Sequence, residues 1–186
     1  MKSQSEFFYS NSRLVLREFR AGDREALMVF AHDPSQLRHM IFKLGTEEEV
    51  DNFLEYAQTT ARENDRREWH LAVEEQGKPG CVGGVALMVE KDAPSSGEIG
   101  YWFKRSVWGR GYATEASRVL LGFGFEKAGL HRIYGKCHVD NRASSHVMEK
   151  LGMKLEGCIR EHVWLRDHYR SSLVYSMLEP EYRGSI

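Results

Sequence analysis

The run Trp108-Gly109-Arg110-Gly111-Tyr112-Ala113-Thr114-Glu115-Ala116 holds the clearest chemistry in the sequence. Two glycines and an arginine stand where a helix looks set to begin. A helix start carries backbone N–H groups that the helix itself cannot use, together with the positive end of its dipole. Glycines at that point let an anion approach the backbone closely. Residues 101–114 also contain Lys104, Arg105 and Arg110 and no acid, within a chain of formal net charge -1. A basic island in a near-neutral chain points to a phosphate-bearing ligand. The competing explanation is a helix start that needs only flexibility. It is the weaker one, because a single Ser, Thr, Asp or Asn begins a helix more simply.

Several elements must position this turn. Residues 14–18 alternate and read as a strand. Residues 23–31 read as a helix, with Ala26, Leu27 and Phe30 at helical spacing, and residues 32–45 as irregular chain or broken helix containing Pro34 and Gly45. Thr46-Glu47-Glu48-Glu49 fits a capping box that opens a helix running to about residue 63. Residues 69–74 and 82–90 flank Gln76-Gly77-Lys78-Pro79-Gly80 as a hairpin. Residues 99–103 form the next strand, and the glycine-arginine turn opens a helix that Gly129 closes. Residues 132–139 are a strand and 143–151 a helix stopped by Gly152. Residues 154–165 and 169–178 are the last two strands. Strand, crossover helix and strand between Ile99 and Val139 imply one parallel pair in an otherwise antiparallel sheet.

The bulk composition bounds the answer. A chain of 186 residues fits one domain with a sizeable core. With 26 basic and 27 acidic side chains it has no general attraction to nucleic acid or anionic membrane, so electrostatic recognition must be local. Cys81, Cys137 and Cys158 form no C-x-x-C pair, which argues against a disulfide framework or zinc site and for reduced thiols in a cytoplasm. The histidines lack H-E-x-x-H spacing, so no metal is expected. The first residues lack the apolar core of a signal peptide, and no apolar run approaches the ~20 residues of a membrane span. The expected organisation is a loose segment over 1–12, a single domain over 13–180 and a tail over 181–186.

The turn is neither a Rossmann fingerprint nor a Walker loop, since G-x-G-x-x-G and G-K-[ST] are both absent. Its setting resembles the GNAT superfamily of acyl-CoA-dependent N-acetyltransferases. Three blocks carry the resemblance: Gly97-Glu98-Ile99-Gly100-Tyr101-Trp102-Phe103; the run from Trp108 to Ala116; and Asn141-Arg142-Ala143-Ser144 with Glu149-Lys150-Leu151-Gly152-Met153. The opening Arg13-Leu14-Val15-Leu16-Arg17 and the ending Arg166-Asp167-His168-Tyr169 resemble the RimJ/RimL branch, which includes acetylases of ribosomal-protein N-termini. The resemblance implies a mixed α/β (α+β) fold. Its centre would be a mostly antiparallel twisted sheet of about seven strands with one splayed parallel pair, flanked by about four helices. The general loop pattern is Q/R-x-x-G-x-G/A; Trp108 departs from its first position, and Gly111 and Ala113 fall on its small positions. The resemblance further implies acetyl-CoA as co-substrate. Backbone N–H groups of Arg110, Gly111, Tyr112, Ala113 and Thr114 would hold its pyrophosphate. Phe103 and Val107 are candidate pantetheine contacts, beside ordinary core packing as the alternative for each.

Acetyl transfer to an amine requires loss of an amine proton, stabilisation of the carbonyl oxygen and departure of a thiolate. Direct attack by the amine needs no Ser-His-Asp triad. The resemblance places Ser144 near the CoA sulfur, where its hydroxyl would donate to the leaving thiolate; a helix-start serine bonding backbone is the alternative. Asn141 would hold pantetheine or cap its helix. Glu98 and Glu161 are the carboxylates set to attract the amine or take its proton through water, each weighed against a solvated charge on a sheet face. His70 and His138 rank below them, Tyr169 is an alternative acid, and Glu115 suits the helix dipole. Trp69, Trp102 and Trp164 would line an acceptor pocket or belong to the core, and Cys137 reads as a small buried hydrophobe. The acceptor is a protein N-terminal amine or a small amine such as a polyamine, amino acid or aminoglycoside. A catalytically silent acyl-CoA-binding module is the competing class. A monomer or homodimer is expected.

Overall fold

The alternating segments pair into one eight-stranded sheet in a computed structural model of the protein, which describes residues 8–39, 44–165 and 167–184. The strands are β1 (Tyr9–Ser10), β2 (Leu14–Glu18), β3 (Glu68–Glu75), β4 (Lys78–Val89), β5 (Ser96–Phe103), β6 (Arg132–His138), β7 (Lys154–Leu165) and β8 (His168–Leu178). Their order across the sheet is β1-β2-β3-β4-β5-β6-β8-β7. The helices are α1 (Arg24–Ala31), α2 (Pro34–Leu37), α3 (Glu47–Thr60), α4 (Tyr112–Glu126), α5 (Arg142–Lys150) and α6 (Glu179–Arg183). Only β5 and β6 run parallel, because α4 carries the chain from one to the other. The mixed sheet with one parallel pair matches the expectation. The strand and helix counts exceed it through β1, α2 and α6, which are too short to show periodicity.

Residues 1–7 of the expected loose segment lie outside the described residues. Residues 8–10 are attached to the sheet: the Phe8 N–H donates to Leu16 O at 2.9 Å, and the Phe8 ring meets Phe123 edge-on at 4.9 Å. Toward the other end, α6 covers part of the expected tail, with Tyr182 stacked on Phe125 at 5.0 Å; residues 185 and 186 lie outside the described residues. The irregular stretch expected over 32–45 contains α2, and its residues 40–43 are outside the described residues, as is Arg166 of the terminal motif.

Helices cover the two sheet faces unequally. On one face α4 and α5 pack over a core that includes Leu87, Ile99, Phe103, Leu120, Ile133 and Met148. On the other, α1 and α3 pack over Phe19, Ala72, Cys81 and Trp102. This second core draws on β3, β4 and β5 and, among the described residues, on nothing from β6, β7 or β8. Arg17 fixes its margin: the guanidinium is 3% exposed, donates to both carboxylate oxygens of Asp23 at 2.7 Å and also pairs with Glu74. Removing one partner of such a buried pair costs about 3–5 kcal/mol. The capping box also forms, with the Glu49 N–H donating to Thr46 Oγ1 at 3.2 Å and the Thr46 N–H to Glu49 Oε2 at 3.1 Å.

The parallel pair is short. It joins Ser96 to Arg132, Gly97 to Ile133 and Glu98 to Tyr134, and no further register pair links β5 and β6 among the described residues. Both strands nevertheless continue, to Phe103 and His138. They part like the arms of a V, and the missing ladder leaves strand backbone available to a ligand.

Candidate functional site

The glycine-arginine turn lies at one end of this splay. Trp108 anchors it by donating from its indole Nε1 to Phe103 O at 2.8 Å. Gly109 (φ 76°) and Gly111 (φ 81°) adopt left-handed backbone, which side-chain-bearing residues enter at a cost. Gly111 is the N-cap of α4 and offers no side-chain acceptor. Among the described residues, the six N–H groups from Gly109 to Thr114 meet no acceptor in the protein. A Cβ added at either glycine would meet nothing within 4 Å, so the space beside these two glycines is open. Donors and dipole together form an anion cradle.

Arg13 braces the cradle from the sheet. Its Nη2 donates to Arg110 O at 2.7 Å, its Nη1 pairs with Glu115 at 2.9 Å, and its guanidinium lies 5.2 Å from the centre of the Tyr112 ring. Arg110 in turn pairs with Glu75 at 3.0 Å. The Arg110 charge is therefore shared with a neighbour, Glu115 holds the loop, and the Tyr112 ring is buried. What Arg110 to Thr114 present in common is backbone. Sequence reasoning missed Arg13, because nothing in its spacing marks a contact across so many residues.

Ser144 sits in the first turn of α5, which Asn141 caps by accepting from the Ser144 N–H at 3.1 Å. The capping alternative for Asn141 is thus realised by its carbonyl oxygen. Ser144 Oγ lies 2.8 Å from the Tyr101 hydroxyl, which also reaches Ser144 O at 3.0 Å. Each hydroxyl holds one proton. When Tyr101 donates to Ser144 Oγ, the serine proton is released to a third group. Burial pushes the Tyr101 phenol up, so it stays protonated at neutral pH. Tyr101 pairs with β4 but lies on the stretch of β5 beyond its pairing with β6, and the sequence named it only within the block that carries the resemblance. Cys137 is buried with Sγ 3.5 Å from Ser145 Oγ, and burial raises its pKa, as suits an inert packed thiol.

Side chains alternate along a strand, so Glu98 projects from the face opposite Tyr101. Its Oε2 accepts from Tyr134 OH at 3.1 Å and from Lys136 Nζ at 3.1 Å. The Tyr134 OH also lies against Glu90, and its single proton goes to one of the two carboxylates at a time. Burial first, then the two carboxylates, push the Tyr134 phenol up. Next on this face is Gly100, where an added Cβ would meet nothing within 4 Å. Glu98 and Ser144 therefore flank the same part of β5 from opposite sides. Beyond Tyr134 and Lys136 the uncovered face forms a shallow cavity of about 380 Å³ reaching Glu156 and Val174.

The other candidates fall elsewhere. Phe103 and Val107 are 6% and 5% exposed in the main core, so neither side chain is open to a ligand; Phe103 O already accepts from Trp108, and the Val107 N–H donates to Lys104 O. Glu161 lies at a bulge of β7 with φ 50°, its N–H donating to Ser171 Oγ at 3.0 Å. Two strands separate β7 from β5, which puts about 14 Å between their axes. The structure brings Glu98 and Ser144 to one strand and leaves Glu161 exposed at the sheet edge. Buried His70 contacts Glu68 at 2.9 Å. The tryptophans form no common pocket: Trp69 packs on Phe123, Trp102 on Phe30, and exposed Trp164 on Tyr169. Tyr169 is 60% exposed at that outer hairpin, away from Ser144.

Residues 13–154 match the acetyltransferase (GNAT) domain. An uncharacterized N-acetyltransferase of Bacillus subtilis, YnaD, is 25% identical over 173 residues, covering 93% of this chain and 98% of its own. A GNAT-family acetyltransferase structure from Bacillus anthracis superposes with a TM-score of 0.81 at 28% identity, over 94% of this chain and 99% of that one. The fold is also that of RimL, a ribosomal L7/L12 alpha-N-protein acetyltransferase solved with coenzyme A, at a TM-score of 0.77 and 21% identity over 93% of this chain and 98% of that one.

Proposed function

The chain belongs to the GNAT acetyltransferases and is an acetyl-CoA-dependent N-acetyltransferase, and on that premise we propose that it acetylates a peptide N-terminal amine by direct attack. One observation carries the reading: the splay of β5 from β6, with the anion cradle at its end, Ser144 on one face and Glu98 on the other. The N–H groups of Arg110, Gly111, Tyr112, Ala113 and Thr114 hold the CoA pyrophosphate. Backbone of β5 beyond its pairing with β6 and the side-chain amide of Asn141 hold pantetheine. The thioester then lies beside Ser144, and the amine arrives from the Glu98 face.

Glu98 draws the cationic amine and takes its proton through water, and the neutral nitrogen attacks the thioester carbon. As the carbon–sulfur bond breaks, the Ser144 hydroxyl, oriented by Tyr101, donates a hydrogen bond to the departing thiolate, and the second proton shed by the nitrogen leaves with the sulfur as the CoA thiol. Glu161 stands too far out on the edge strand for this step and serves the acceptor's outer segment. The uncovered face over β6, β8 and β7 suits an extended chain better than a compact amine. The RimL fold and the Arg13-Leu14-Val15-Leu16-Arg17 opening support placement in the RimJ/RimL branch, with ribosomal proteins as acceptors. A small polyamine is the second reading, favoured by the two carboxylates, Glu90 and Glu98, around Tyr134.

CoA release measured with peptides bearing free or blocked N-termini, and with spermidine, separates these readings. Release with free peptides alone is expected. Release with spermidine alone would replace the peptide reading. Saturable acetyl-CoA binding without release from any amine would overturn both.

A further inference from the structure

A second cavity of about 370 Å³ is lined by Arg38, His39, His138, Asp140, His168 and Arg170. Arg38 and His39 follow α2, His138 ends β6, Asp140 begins the turn into α5, and His168 and Arg170 belong to β8. His138 alternates with Tyr134 and Lys136 along β6, so the cavity opens on the Glu98 face, at the margin of the splay. The anion cradle serves α4, which packs on the opposite face. These six side chains play no part in the chemistry above.

Two guanidinium groups against one carboxylate make the cavity net positive before any imidazole is counted. The carboxylate is also the outer group: Asp140 is 74% exposed, where solvent screens it. Arg170 is 6% exposed, and its Nη1 is held by Arg38 O at 2.8 Å. His138 Nδ1 accepts from the Asp140 N–H at 3.2 Å, which leaves the proton of the neutral ring on Nε2 as a donor. The His39 ring lies 5.9 Å from it, with a buried Nδ1 that has no partner among the described residues. Burial holds both His39 and His138 below their usual pKa, reinforced at His39 by Arg38 and Arg170 and at His138 by Arg170, His39 and His168; Asp140 opposes this at both rings. An incoming anion would oppose it further and make both rings better donors.

We infer that this cavity is an oxyanion subsite that selects acceptors bearing a carboxylate or a phosphate some residues away from the reacting amine. The inference rests on the reading of the Glu98 face as the acceptor side. Four residue steps along β6 take Tyr134, beside Glu98, to His138, a span of about 13 Å that an extended peptide covers in about four residues. The preferred acceptor is thus a peptide with an acidic or phosphorylated side chain near its fourth or fifth position.

Two measurements test this. Inorganic phosphate is titrated into the protein while the His39 and His138 imidazole signals are followed by NMR, in the wild type and in Arg38→Gln, which changes an exposed side chain. Saturable shifts, raised imidazole pKa values on binding and at least about tenfold weaker binding in the variant are expected. Absence of shifts, or shifts that Arg38→Gln leaves unchanged, would overturn the subsite. Second, kcat/KM is compared for peptides carrying glutamate against glutamine, and phosphoserine against serine, at positions two to six. At least about tenfold preference for the anionic form, carried by the peptide KM and lost in Arg38→Gln, is expected, with the KM for acetyl-CoA unmoved. The two pairs tell carboxylate from phosphate. Equal use of charged and neutral peptides would remove the subsite while the peptide reading stands. Failure to acetylate any peptide would remove that reading, and the phosphate titration would still decide whether the cavity binds an anion.

Discussion

Helices α3 and α4 begin in opposite ways. At α3, Thr46 and Glu49 satisfy each other's backbone donors, and three glutamates sit against the positive end of the dipole. At α4, a left-handed glycine occupies the cap, no side chain caps it, and six successive N–H groups meet no acceptor among the described residues. The first helix start is finished by its own sequence. The second is left to an external anion in the proposed function, and Arg13 and Trp108 hold its backbone in place. Helix α5 lies between these extremes: Asn141 occupies one donor, and Ser144 is left facing Tyr101 and the splay. The open start suits a ligand, whereas the capped one serves as a support.

The contrast can be broken most directly at Gly111. Gly111→Trp puts a large side chain over the idle donors and forces it into left-handed backbone. Acetyl-CoA affinity by titration calorimetry should fall by about 100-fold or more, roughly 2.7 kcal/mol, with circular dichroism unchanged. Wild-type affinity in a folded variant would refute the cradle. Ser144→Ala tests the intermediate helix: turnover should drop about tenfold while acetyl-CoA affinity changes less than about twofold. A variant with undiminished turnover would take Ser144 out of the chemistry.

Thr46→Ala applies the same logic to the capped start. It should lower unfolding free energy by about 1 kcal/mol in denaturant titration and leave acetyl-CoA affinity untouched. A loss of affinity there would erase the distinction between the two helix starts. The smallest effect concerns His138, whose pKa is depressed by burial and by the positive charge of Arg170. Between its folded pKa and the ordinary 6.5, the unfolded chain binds the proton that the folded chain refuses, so stability falls as pH drops through that window. His138→Gln should flatten the wild-type loss of stability as pH falls below about 6.5. An unchanged slope would mean that the ring carries none of it.

Much of this was legible before folding. The capping box at Thr46, the helix opened at Gly111 and the parallel pair around α4 follow from local chemistry and from the order of elements. The short pieces β1, α2 and α6 were not legible, since two to five residues show no period. Within the candidate site, Glu98 and Ser144 could be named from the sequence, but not that they flank one stretch of β5 from opposite faces. Glu161 looked equal to Glu98 until the strand order placed it at the edge.

The sequence by itself determined the donor end of the chemistry: a glycine-bearing helix start is a local arrangement of consecutive backbone groups, and its nine residues contain it. Only the tertiary structure decided how the rest assembles. Arg13 against Glu115, Tyr101 against Ser144, and Arg38 and His39 beside His138 and Arg170 are contacts between distant segments. Strand order, pleat and the early parting of β5 from β6 create them, and those depend on how every element packs at once.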